Sequence, residues 1–295
     1  MKTYTPSQIS AIARLFSPGV VREMACGGKS PMFSRLAKEA IGPTHSMGVF
    51  VGNFFDACFD ILKRSEYRHE YVYKQALTHE VLLGRHSLQT ASMLTEFRVA
   101  SCKADVSILN GTSTVYEIKS ERDSLKRLEN QIQAYIRFFA KVYVIAGENH
   151  TNAIESLVPD DVGILTLSKD NCILAIREAQ DRPERTCPLT IFESIRTGES
   201  QQILKLFGLR VPEVPNTMMH AALREEFGKL NPRQAHDGMV QVLKRTRNLL
   251  PLSTLLEAVP HSLQSAALTV PLNRREHGRL VSALQTNLQH AMEWS

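Results

Sequence analysis

The stretch CKADVSILNGTSTVYEIK, residues 102–119, decides the fold. Ala104, Val106 and Ile108 alternate with Asp105 and Ser107, a period of two that predicts a strand with one apolar face. Asn110-Gly111 then supplies a hairpin turn, because these two residue types accept the left-handed backbone that tight hairpins demand. A further strand follows at Val115 to Ser120. Upstream, Phe97 and Val99 alternate with Glu96 and Arg98, so three strands are expected as an antiparallel meander. Downstream, Leu125, Leu128, Ile132, Tyr135, Ile136 and Phe139 recur at helical spacing, which predicts a helix over Asp123 to Phe139 with Asp123 as its N-cap. Lys141 to Ala146 is a short β-rich run. Strand, helix and strand joined by short links place this last strand parallel to Val115–Ser120 through a right-handed crossover.

The charges in this segment are the anomaly. Period two puts Glu117 and Lys119 on one face of a strand that the crossover places inside the sheet, with Tyr116 and Ile118 on the other. The hairpin brings Asp105, near the start of its strand, beside the end of Val115–Ser120, so Asp105, Glu117 and Lys119 converge. Two carboxylates in one place repel unless a cation joins them. Asp105 and Glu117 are hard oxygen ligands suited to Mg²⁺, with Mn²⁺ as a substitute, and an ion so held lowers the pKa of a bound water. Lys119 is placed to position and activate that water and to offset charge on a phosphorus centre. The chemistry expected is phosphodiester hydrolysis.

Lys103-Ala104-Asp105, eleven residues, Glu117-Ile118-Lys119 and a following helix with Gln131 and Tyr135 together resemble the PD-(D/E)XK nuclease superfamily. The Gln131-x-x-x-Tyr135 spacing is similar to its RecB-like exonuclease branch. Glu117 to Ser120 with Arg127-Leu128 resembles a group of phage and bacterial proteins of unassigned role in the same superfamily. The resemblance covers Tyr67 to Gly147, and alanine stands at position 104 where the family name has proline. It implies an α/β, restriction-endonuclease-like αβββαβ core, framed here by helical N- and C-terminal regions. It also implies a Mg²⁺-dependent deoxyribonuclease in which Asp105 and Glu117 hold the metal, Lys119 acts on the water and Gln131 supports them. In this superfamily a further acid on the first core helix often completes the metal site; Glu70 is that residue here, with Glu80 as an alternative and Glu96 less favoured. Arg127, Gln131 and Tyr135 fall at successive i+4 steps, so Arg127 and Tyr135 are candidates for nucleic-acid contact. The competing expectation is a noncatalytic protein that keeps the fold to bind nucleic acid or a protein, such as a phage regulatory or accessory factor.

The rest of the chain sets bounds. Among 295 residues, 43% are hydrophobic and 22% charged, which is ordinary globular usage and excludes disorder and coiled coil. A net charge of +5 permits DNA as partner without requiring it. No stretch is long and apolar enough for a membrane span, and Met1-Lys2-Thr3-Tyr4 opens no apolar leader, so a cytoplasmic location is expected. Residues 1–64 read as a helical region, 65–180 as the core and 188–295 as a second helical region, through which a homo-oligomer or protein partner could bind. Helices are expected near Thr5–Phe16, Phe50–Leu62, Tyr67–Leu83, Leu189–Phe207, Asn216–Leu230, Pro232–Arg247 and Asn273–Met292, and short strands at Val162–Leu167 and Asn171–Ile176. The five cysteines contain no C-x-x-C pair and read as buried thiols. Cys26-Gly27-Gly28-Lys29-Ser30 has the composition of a P-loop end, but Glu23 occupies its first glycine position. Lys244, Arg245 and Arg247 read as a solvated helix end, with a DNA-backbone patch as the alternative.

Overall fold

The computed structural model describes residues 3–41 and 48–295; Met1 and Lys2, on which the expectation about a leader partly rests, lie outside the described residues. The chain divides into two compact units, one of residues 80–249 and one of residues 1–79 with 250–295. The larger unit is mixed α/β. Its six-stranded sheet runs in chain order: β1 (Ser92–Val99), β2 (Cys102–Leu109), β3 (Ser113–Lys119), β4 (Lys141–Ala146), β5 (Gly163–Leu167) and β6 (Ile173–Arg177). The first three strands form the expected antiparallel meander, β4 is parallel to β3, β5 parallel to β4, and β6 antiparallel to β5. Gly111, at φ 125°, makes the β2–β3 turn, a conformation that a side chain would strain.

One face of this sheet carries the core. Val115, Val142, Val144 and Ile164 pack with Leu128, Ile132 and Tyr135 of the helix Leu128–Tyr135, and with Phe192 and Phe227 of later helices. Each such side chain contributes about 1.5–3 kcal/mol when fully buried. The helix is shorter than the sequence predicts. Asp123 is not its N-cap: the Asp123 carboxylate accepts from the Ser120 N–H and hydroxyl instead, and a 3₁₀ turn, Leu125–Arg127, precedes the α-helix.

On the opposite face Tyr116 and Tyr143 stack 5.4 Å apart at 10°, and the Tyr143 hydroxyl donates to Glu178 at 2.5 Å. Burial, then that bond, pushes the Tyr143 phenol up to about 12. Gly163 lies directly across from Tyr143 in the β4–β5 ladder, and a Cβ there would sit 2.3 Å from the ring. Gly163→Ala is therefore expected to destabilise this unit by about 2–3 kcal/mol, because the close contact also includes the Ala179 backbone and cannot simply rotate away. Urea unfolding checks it, and an unchanged midpoint would show that the ring yields freely.

The smaller unit is helical. Thr5 and Gln8 form the expected capping box on the helix Pro6–Leu15. Helices at Pro18–Gly27 and Pro31–Ile41 were not anticipated, since their glycines and prolines read as a turn; each instead begins on a proline at its first position. Gly28, at φ 71°, ends the first of them, so the P-loop-like run is a helix C-terminus. Phe16 stacks on Tyr71 at 4.5 Å, and Phe55 and Phe59 pack edge-on to Phe16. The cysteine reading needs correction: Cys58 alone is buried, Cys102 and Cys187 are half-buried, and Cys26 and Cys172 are exposed. No helix among the described residues is long and apolar enough to cross a membrane.

Candidate active site

All seven residues of β3 are buried. Val115, Glu117 and Lys119 face the helix Leu128–Tyr135, so a carboxylate 1% exposed and an ammonium 5% exposed sit in the otherwise apolar layer. Desolvating two charges costs several kcal/mol per ion and is offset only by close pairing and complete hydrogen bonding. Both are present. Lys119 Nζ donates to Glu117 Oε1 at 2.7 Å and to Gln131 Oε1 at 3.0 Å, while Gln131 Nε2 donates to Glu117 Oε1 at 2.5 Å. The Tyr135 hydroxyl lies 2.8 Å from Glu117 Oε2 and 3.0 Å from the Lys103 carbonyl oxygen. Gln131 and Tyr135 reach one carboxylate because they are four apart and share a helix face.

Asp105 continues the β2–β3 register opposite Glu117, one step beyond the Val106–Tyr116 pair where the ladder stops. There its Oδ2 accepts the Ile118 N–H at 2.8 Å, standing in for a strand carbonyl. Burial raises the Tyr135 phenol well above its ordinary range, and the charges of Glu117 and then Asp105 push it the same way. Both carboxylates thus act on one hydroxyl, and Asp105, Glu117, Lys119 and Gln131 come together.

The other expected residues have settings of their own. Tyr135 is wholly buried, so its ring is closed to nucleic acid and its contact is with Glu117. Arg127 is exposed one turn before Gln131. Glu70 belongs to the other unit, where it opens the helix Glu70–Ala76 and pairs with Lys74 at 2.5 Å. Both Glu80 oxygens accept the Ile173 N–H at the start of β6, at 3.1 and 3.0 Å. Glu96 is closer to the site than its place in the sequence implies. The Val99–Cys102 hairpin sets it directly opposite Asp105, it breaks the ladder with φ 55°, and one of its carboxylate oxygens lies within 4.8 Å of one of Asp105. Counting back from a two-residue turn at Ala100-Ser101 would have found this pairing; the left-handed glutamate has no mark in the sequence. Its carboxylate pairs with Lys103.

Two further clusters are structural. Ser113 Oγ lies 2.9 Å from His236 Nε2, and His236 Nδ1 2.9 Å from Asp237 Oδ1, the order of a serine nucleophile. Yet Ser113 is 0% and His236 1% exposed, and Ser113 Oγ accepts the Ala140 N–H, so the chain is an internal tie. Arg247 leaves the expected solvated patch: its Nε and Nη2 bind Glu199 at 2.9 and 2.8 Å. Arg245 donates to Gln202 at 2.6 Å.

Comparison with known proteins gives three results. A curated relative, "Protein cII" of Enterobacteria phage P4, is 35% identical over 94 residues; the match spans 31% of this chain and 36% of that protein. A solved structure of a protein of unknown function from Silicibacter pomeroyi aligns over 46% of this chain and 87% of its own, at 17% identity and a TM-score of 0.30. The family described as Bacteriophage P4 protein cII matches residues 63–247, which contain the whole sheet and the buried Glu117–Lys119 pair. Because that match takes in more than half of its residues, the chain belongs to the bacteriophage P4 protein cII family.

Proposed function

We propose that the chain is a Mg²⁺-dependent deoxyribonuclease with a restriction-endonuclease-like core of the PD-(D/E)XK kind. The observation that carries this reading is the charged constellation on β2 and β3: a buried carboxylate and lysine two residues apart, fastened by Gln131 and Tyr135, with Asp105 opposite. The residues suit a hard cation. Glu117 uses three of the roughly four acceptor positions of a carboxylate, leaving one, and Asp105 and Glu96 bring further oxygens close by. Asp105 and Glu117 would hold Mg²⁺, with Glu96 beside Asp105. The ion would supply charge stabilisation at the phosphate and a water of lowered pKa.

The chain's own residues do the rest. Gln131 and Tyr135 keep the Glu117 carboxylate in one orientation, so its free acceptor position is fixed before substrate arrives. Lys119 Nζ, with one of its three protons not used by Glu117 or Gln131, offers that proton to a water or a phosphate oxygen. The Asp105 carboxylate accepts the Ile118 N–H and draws a cation toward the same strand end.

A second reading draws support from the same contacts. Glu117, Lys119 and Gln131 satisfy one another internally, as they would in a noncatalytic family member that keeps the fold to bind nucleic acid or protein. Incubation of the full chain with linear, circular and single-stranded DNA, with Mg²⁺, with Mn²⁺ and with chelator separates the two. The nuclease reading expects metal-dependent cleavage that Asp105→Ala lowers roughly 10²–10⁴-fold. Cleavage retained in Asp105→Ala, or none under any of these conditions, would remove it.

A further inference from the structure

The smaller unit carries most of the chain's excess positive charge. Residues 1–79 with 250–295 hold 13 lysines and arginines against 9 acids, whereas residues 80–249 hold 22 against 21. The excess is thus four in the smaller unit and one in the unit that carries Glu117 and Lys119, so the charge that attracts a polyanion lies mainly outside the strand-borne site.

Part of this charge gathers where two helices meet. On the helix Arg274–Leu284, Arg275 and Arg279 are four apart and share a face. Arg279 Nη1 donates to the Cys26 carbonyl oxygen at 2.7 Å, at the end of the helix Pro18–Gly27. Arg22 lies one turn before Cys26 on that helix, and Lys29 follows its left-handed cap, Gly28. All four cations are exposed.

The acids of these two helices do not neutralise them. Each helix holds one, and both accept from neutral donors: Glu23 takes the Ser30 hydroxyl at 2.6 Å and the Met32 N–H at 3.1 Å, and Glu276 takes the Asn273 N–H at 2.7 Å and the Cys26 thiol at 3.6 Å. The side chains of Arg22, Lys29 and Arg275 have no partner among the described residues. Arg275 also follows Arg274 in the first turn of its helix, where free N–H groups already carry partial positive charge. Two cations there run against the local preference, as residues retained for binding do. The apolar residues of both helices, Val20, Val21, Met24, Leu280 and Leu284 among them, are buried, so the patch offers nothing to insert into a bilayer. Spaced cations without an apolar rim suit a phosphodiester backbone.

We propose that Arg22, Lys29, Arg275 and Arg279 form a sequence-independent anchor for the nucleic-acid backbone. It belongs to a different unit from the carboxylate site and acts whether or not that site cleaves.

Fluorescence anisotropy of the full chain with labelled short DNA duplexes, in chelator so that no strand is cut, tests the idea. The wild type should bind unrelated sequences alike, with log affinity falling against log salt between about 50 and 200 mM at a slope of roughly −3 to −4. The triple variant Arg22→Ala, Lys29→Ala, Arg275→Ala leaves the Arg279 bond to Cys26 in place and should keep the thermal midpoint. Its slope should become shallower by about 2–3, and its affinity at about 50 mM salt should drop roughly thirtyfold or more. Arg22→Lys with Arg275→Lys keeps the charge and should bind as the wild type does. A triple variant of the larger unit, Lys205→Ala, Arg210→Ala, Arg233→Ala, removes as much charge and should bind within about twofold of the wild type. Four outcomes overturn the proposal: no DNA binding at the lowest salt, wild-type affinity and slope in the first triple variant, an equal loss in the second, which marks net charge alone, or binding to phosphatidylserine vesicles without binding to DNA.

Discussion

Replacing Lys119 with Met is expected to cost the larger unit about 3–5 kcal/mol of stability, because it strips a carboxylate that is 1% exposed of the ammonium it pairs with at 2.7 Å while leaving the charge in place. Methionine keeps the length and apolar stem of lysine, so little packing is lost. Gln131 and Tyr135 still donate to Glu117, but neither carries positive charge. Adding Glu117→Gln should recover a large part of the loss, since removing both charges restores a neutral interior. The two single variants and the double variant therefore form a cycle whose coupling is expected at about 2–3 kcal/mol. Urea unfolding followed by far-ultraviolet circular dichroism measures it. A Lys119→Met midpoint equal to that of the wild type would mean that the pair does not hold the sheet and helix together. Both functional readings share this stability result. Only the nuclease reading adds that Asp105→Ala, which leaves the buried pair intact, lowers cleavage by orders of magnitude, roughly 10²–10⁴-fold.

Arg247→Met is the second large effect, again about 3–5 kcal/mol. Glu199 is 3% exposed and takes the Arg247 guanidinium on both oxygens, along with the Thr246 hydroxyl at 3.0 Å and the Arg196 N–H at 2.8 Å. Burial alone would raise the Glu199 carboxyl, but the bonds from Arg247, Arg196 and Thr246 outweigh it and hold the group below its usual range. A carboxyl depressed in the folded state contributes stability that is complete above its unfolded pKa, about 4.3, and is lost as pH falls through the lower folded value. The wild type should therefore lose this contribution below about pH 4, whereas Arg247→Met, already without the pair, should show a flatter acid limb at a lower plateau. Thermal midpoints measured from pH 7 down to 3 check both statements. Parallel curves for the two proteins would remove the Glu199–Arg247 pair as the cause.

The parts of the fold that were legible share one physical basis. Strands β2 and β3 follow from alternation and the Asn-Gly turn, and the short β-rich run Lys141–Ala146 matches β4 residue for residue. Alternation also put Glu117 and Lys119 on one face, and helical spacing put Gln131 and Tyr135 on another facing it. Distances and burial were not legible, so Tyr135 read as a surface contact. Elsewhere, local hydrogen bonds overrode the pattern. The apolar run 189–207 is not one helix, because Ile195 and Arg196 turn extended and Glu199 becomes the third residue of a new helix, its carboxylate capping the Arg196 N–H. The Glu96 position depends on a backbone dihedral that residue type does not forecast. Arg247 read as solvated because its partner lies 48 residues away.

The opposed faces of β3 limit how this segment can change length. A strand repeats every two residues, so one inserted or deleted residue within Val115–Lys119 would exchange the faces, driving Tyr116 under the helix and the two charges onto the tyrosine stack. The loop Asn110–Thr112 outside the ladder can absorb such a change. Viable insertions and deletions in this region are therefore expected in the turn, or in even steps within the strand, a parity rule that a library of length variants would expose directly.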